Sequence, residues 1–132
     1  MKINGRVISK GIAEGELLVS SEPISFLGGV DAKTGIIIEK DHPLEDRSIA
    51  GKILVFPRGK GSTVGSYVLY QLKKGGKAPV AIICEEAEII VAAGAIISEI
   101  PMLDRLDGGA FLLLKNGQKA KVDAKAGFIE VQ

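Results

Sequence analysis

The chain has 132 residues, the size of one domain able to bury a core without disulfides or metals. Seventeen basic residues against sixteen acidic ones leave a formal charge of +1, so no global field directs it to nucleic acid or an anionic membrane. A lone cysteine, Cys84, excludes an internal disulfide, and with the lone histidine, His42, it falls short of the three or four ligands of a private zinc or iron-sulfur site.

In chain order, glycine-punctuated runs rich in β-branched residues predict short strands over Lys2 to Ile8, Gly15 to Val19 and Thr34 to Glu39. Glu22 to Gly29 reads as loop or a single helical turn, and the polar stretch Asp41 to Gly51, carrying His42, as a surface connection. Ile53-Leu54-Val55-Phe56 is a continuous apolar run, as expected of a strand buried on both faces. Val64, Val68 and Leu72 recur every four residues with Tyr67 beside them, which predicts a helix from Thr63 to Lys74. Lys73-Lys74-Gly75-Gly76 supplies its stop, cations at the negative end of the dipole and glycine for the cap.

Pro79 to Cys84 is a second buried strand. Ile89, Ile90, Ala93, Ile96, Ile97 and Ile100 then step by threes and fours, predicting a helix from Glu86 to Ser98 in spite of Gly94. Pro101-Met102-Leu103 follows as a third short parallel strand. Asn116-Gly117 between Phe111 to Lys115 and Gln118 to Val122 predicts a hairpin with a type I′ turn, and Gly127 to Val131 a last strand. The longest apolar stretch, Ile89 to Ile97, is far too short to span a membrane, and the N-terminus lacks the apolar core of a signal peptide. A soluble, cytoplasmic protein is expected, of α/β class, with a central parallel βαβαβ core flanked by antiparallel strands and hairpins.

One stretch offers chemistry. PRGKGSTVGSYVLYQL, residues 57–72, places three glycines and two hydroxyls between a buried strand and a helix. It is no Walker loop, because Leu54 stands where the first glycine should be and Gly59-Lys60 is followed by glycine. Nor is it the dinucleotide fingerprint, since Gly59, Gly61 and Gly65 are spaced GxGxxxG. What survives is a strand-to-helix elbow whose N–H groups attract an anion, with Arg58 and Lys60 adding charge and Ser62 and Thr63 adding hydroxyls. The alternative is that Ser62 or Thr63 caps the helix and that the two cations are merely solvated.

The runs GKILVFPRGKGSTVGSYVLYQL and APVAIICEEAEIIVAAGAIISEIPMLD resemble the swivelling domain of the aconitase X family, and the likeness extends from GRVISKGIAEGELLVS onward. The resemblance implies a swivelling β/β/α domain over residues 1–132, closing over the active site of a separate large subunit in a heterodimer. That subunit would carry a 4Fe-4S cluster, with none bound by this chain alone. The implied reaction is dehydration of a small phosphorylated hydroxy acid, 5-phosphomevalonate, to trans-anhydromevalonate 5-phosphate in the archaeal modified mevalonate route to isoprenoids.

Under the same resemblance Ser62 falls where the family has its proposed proton acceptor, leaving Arg58, Lys60, Gly61 and Thr63 as substrate-binding candidates. Conventional aconitases follow that serine with serine and arginine; here Thr63-Val64 follow, so the substrate should differ from citrate. Another dehydratase of this type, acting for instance on cis-3-hydroxyproline, and a non-catalytic anion-binding regulatory module are the competing readings. Cys84, Glu85 and Glu86 fall at a strand end on the rim where open α/β sheets bind ligands, but read better as structural, Cys84 as a buried hydrophobe and Glu86 as a helix start. His42, the one ordinary candidate for a pH switch or a phosphohistidine, reads as a surface histidine.

Overall fold

The computed structural model describes residues 1–61 and 63–132. Among these residues eight strands, β1 (Lys2–Asn4), β2 (Arg6–Ser9), β3 (Ile12–Val19), β4 (Ile53–Phe56), β5 (Ala81–Cys84), β6 (Met102–Asp104), β7 (Lys119–Asp123) and β8 (Phe128–Val131), form one sheet in the order β1-β8-β7-β3-β4-β5-β6-β2. β3 to β6 run parallel, and the outer pairings are antiparallel. The two ends of that order, β1 and β2, are consecutive in the chain with only Gly5 between them. One extended segment therefore covers both edges of the sheet and rolls it closed.

The pleat divides the core in two. Ile53 and Val55 of β4 and Ala81 and Ile83 of β5 point into the rolled sheet, with Leu17, Leu103, Val122 and Ile129. Their neighbours Leu54, Phe56, Ile82 and Cys84 point to the other face, under the helices. Both sides of β4 and β5 are thus filled, which is why their sequences carry no polar alternation.

That second face is covered by α2 (Gly65–Lys74) and α3 (Ile89–Ile97) in β4-α2-β5 and β5-α3-β6 units, preceded by α1 (Phe26–Gly29), a single distorted turn. The expected mixed α/β arrangement, a parallel core with antiparallel flanks, is present. Helix α2 begins two residues later than the sequence predicts and buries Val68, Leu69 and Leu72, while Tyr67 faces solvent. The predicted stop holds: Lys77 N–H donates to the Leu72 carbonyl at 2.8 Å, just past the last turn.

Helix α3 exists as expected but turns another face inward. Val91, Gly94 and Ala95 are buried, whereas Ile89, Ile96 and Ile97 are exposed. The helix is apolar all round, so its period could not identify the inner side. Gly94 is explained by packing, since a Cβ there would lie 3.0 Å from the Ser66 Cα of α2.

Four other expectations are corrected. Thr34 to Glu39 forms no strand, only the isolated bridges Val30–Ile37 and Ile36–Ser48, because its few apolar residues are enclosed by turns. The stretch from Asp41 to Gly51 is not a surface connection: Leu44 and Ile49 are fully buried and His42 is 7% exposed. Phe111 to Lys115 is no strand either; a 3₁₀ segment, Asp107–Leu113, kinks at Gly108 and Gly109. The Asn116-Gly117 turn has positive φ at Gly117 alone, not at both central residues as type I′ requires, and the hairpin is β7–β8.

Candidate active-site rim

The parallel strands all end at one edge, where open α/β sheets bind ligands. Pro57 leaves β4 there, and its carbonyl accepts the N–H groups of Glu85 (3.1 Å) and Glu86 (3.3 Å), tying the glycine loop to the β5–α3 connection. A second brace comes from the segment before α1. Ile24 N–H donates to the Arg58 carbonyl at 3.2 Å, and Lys60 N–H to the Ile24 carbonyl at 3.1 Å.

This clamp leaves no room for side chains at two loop positions. A Cβ on Gly59 would run into Val91 Cγ2 and lie 2.9 Å from the Glu88 Oε1 atom. Gly61 holds φ at +97°, and a Cβ there would come within 2.8 Å of Ser25 Oγ. Gly65, by contrast, would meet only ordinary contacts at 3.7 Å.

Of the candidate residues, Ser62 lies outside the described residues. The loop brings the others together on its outer side: Arg58, Lys60, Gly61 and Thr63 are all exposed. Lys60 Nζ sits 3.0 Å from Glu39 Oε2, an exposed pair worth about 0–1 kcal/mol and so easily exchanged for another anion. Among the described residues Arg58 enters no ion pair. Thr63 stands one residue before the helix N-cap, which is Val64, so Thr63 does not occupy the capping position.

His42 departs from its sequence reading. Its Nδ1 accepts the Leu44 N–H at 3.0 Å, which places the proton on Nε2, 3.1 Å from the Pro23 carbonyl it donates to. Pro23 precedes Ile24, so the histidine holds the strip that holds the loop. Nothing in Asp-His-Pro signalled this, because both partners are backbone groups fixed only by the fold.

At the neighbouring strand ends, Cys84 is fully buried and burial pushes its thiol up, so it is the inert hydrophobe expected. Glu86 makes a forked ion pair with Arg105, whose hydrogen bonds lower the carboxyl from its ordinary value. Glu88, not Glu86, caps α3, accepting from Ile90 N (3.0 Å) and Val91 N (2.7 Å).

Asp104, fully buried at the end of β6, escaped the sequence reading. It accepts from Arg6 Nε at 2.9 Å, Arg6 Nη2 at 2.8 Å and Ala87 N at 2.7 Å. Burial alone would raise its carboxyl, but these donors outweigh it and hold the group below the usual range. A pairing across 98 residues leaves no local trace in the sequence.

The residues of this chain do not fit an iron-sulfur cluster. The sole thiol is enclosed in the apolar core, and the described residues hold no grouping of three or more His, Cys, Asp or Glu side chains able to take a metal. Among them, no helix is long and apolar enough to cross a membrane.

Known proteins share this sequence and fold nearly from end to end. The family model described as Aconitase X swivel domain matches residues 2–131. A protein of Methanosarcina acetivorans named phosphomevalonate dehydratase small subunit is 60% identical over 131 residues, spanning 99% of this chain and 91% of its own length. The protein of the same name from Thermococcus kodakarensis is 60% identical over 99% of this chain and 96% of its own. The crystal structure of Thermococcus kodakaraensis aconitase X in its holo-form superposes with a TM-score of 0.95 at 59% identity, covering 100% of this chain and 98% of that one. A family match running nearly end to end, with relatives at this identity and a shared fold, means that the chain belongs to the aconitase X swivel-domain family.

Proposed function

We propose that this chain is the small subunit of a phosphomevalonate dehydratase, a hydro-lyase active only with its large subunit in a cytoplasmic heterodimer. The 60% identity to proteins of that name over 99% of the chain carries the reading. The rim supports it with a glycine loop braced by Ile24 and by the β5–α3 connection, on which Arg58, Lys60 and Thr63 are exposed. Residues 1–132 act in this reading as one swivelling domain. The 4Fe-4S cluster, and the Lewis acidity it supplies, belong to the large subunit.

This chain's share is the proton next to the substrate carboxylate. Ser62 is the proposed acceptor, and a serine serves as a base only when its alkoxide is stabilised. The exposed charges of Arg58 and Lys60 and the N–H groups at the start of α2 supply positive potential at the loop. Closure against the large subunit would exclude water and strengthen each of these interactions. The competing readings separate in one experiment.

The chain, its large subunit and the anaerobically reconstituted pair are assayed with 5-phosphomevalonate and with cis-3-hydroxyproline. Only the pair should dehydrate, and only the phosphorylated substrate. Turnover of hydroxyproline instead would replace the substrate. A chain that binds phosphate compounds alone and recruits no large subunit would make it a regulatory module.

A further inference from the structure

After β6 the backbone takes an uncommon path. Arg105 holds φ at +49°, in the left-handed region that long side chains rarely adopt. Asp104 just before it has both oxygens occupied by Arg6 and Ala87, so it fixes the end of β6 and is not free for a ligand. Arg105 N–H donates to the Glu85 carbonyl at 3.1 Å, and Glu85 N–H to the Pro57 carbonyl at 3.1 Å. Sheet-like pairing thus continues past the strands and sets Pro57, Glu85 and Arg105 side by side. At about 4.8 Å per strand, the Arg105 backbone stands about 10 Å from the base of the glycine loop.

Its guanidinium is more than half exposed, and its only ion pair among the described residues is with Glu86, with Nη2 to Oε1 at 2.7 Å and Nε to Oε2 at 3.0 Å. Glu86 is equally exposed, so the pair loses little on opening. The planar fork matches a phosphoryl group as well as a carboxylate.

We propose that Arg105 is a further substrate-binding residue, exchanging the Glu86 carboxylate for the phosphoryl group of the substrate. The inference rests on the reading of the glycine loop as the catalytic side. The loop works beside the carboxylate of the substrate, so an anion site about two strand spacings away receives the opposite end of a hydroxy acid phosphorylated at its terminus.

The test is equilibrium dialysis of labelled inorganic phosphate against the assembled two-subunit complex, with Arg105→Ala, Arg105→Lys and Glu86→Gln beside the native chain. Arg105→Ala should weaken phosphate binding about tenfold or more, and Arg105→Lys should recover part of it. Glu86→Gln, which removes the internal competitor, should tighten binding, a gain that a purely structural ion pair would not give. With 5-phosphomevalonate, Arg105→Ala should raise KM much more than it lowers kcat. Phosphate binding within twofold of native in Arg105→Ala, or no tightening in Glu86→Gln, overturns the proposal. If Arg105 governs phosphate binding in a complex that does not dehydrate phosphomevalonate, the anion site stands and the proposed reaction falls.

Discussion

Gly59 shows how narrowly the loop is specified. Because a Cβ there would enter space held by Val91 and Glu88, Gly59→Ala should destabilise the fold by about 1–3 kcal/mol, seen as a fall in Tm of roughly 3–10 °C. An unchanged melting curve would mean that the loop is loosely held. At the same scale, Asp104 makes stability depend on acid. Its folded carboxyl lies below the value of about 3.9 of an unfolded aspartate, so its contribution is fully present above about pH 4 and is lost as pH falls through the folded value. Asp104→Asn should cost about 1–3 kcal/mol at neutral pH and flatten the acid limb of the stability curve. Denaturant titrations between pH 2 and pH 7 read both effects. The strand-to-helix elbow was legible because glycines after a buried apolar run are a local pattern, whereas the role proposed for Ser62 came only with the family resemblance; the Asp104–Arg6 clamp left no such trace, because its members meet only through the closed sheet.

Among elements, those with strong local signals matched the chain best. β4, β5 and α2 announce themselves by an unbroken apolar run or a clear period, and the parallel core follows from them. The segment between β3 and β4 misled because its buried residues come from turns and short apolar pieces far apart in sequence: Ile24, Phe26, Ile37, Leu44 and Ile49 all reach the same core. That segment is the under-structure of the loop, and His42 is its internal tie. His42→Ala removes the acceptor of the buried Leu44 N–H and the donor to Pro23, and should therefore loosen the Ile24 brace. Hydrogen exchange followed by mass spectrometry should show faster exchange in the peptides carrying Ile24 and Lys60, whose amides make the brace. Exchange there at the native rate would show that the brace does not depend on the histidine.

For the whole molecule, closure of the sheet by Lys2 to Ser9 is the feature least visible in sequence. The run reads as one ordinary strand, and only the pairings of β1 with β8 and of β2 with β6 reveal that it seals both edges. Deleting residues 1–9 should open two edges at once and give a chain that aggregates without a cooperative unfolding transition. Retention of a sharp transition would show that the remaining six strands suffice. A closed, braced body presenting one loop on its rim is suited to delivering a group to a partner, not to holding a substrate alone. That division of labour is tested most directly by kcat for 5-phosphomevalonate in the anaerobically assembled pair carrying Ser62→Ala. Loss of the proposed proton acceptor should lower kcat about 10²- to 10⁴-fold with assembly and KM nearly unchanged. A Ser62→Ala complex that turns over at the native rate would contradict the account.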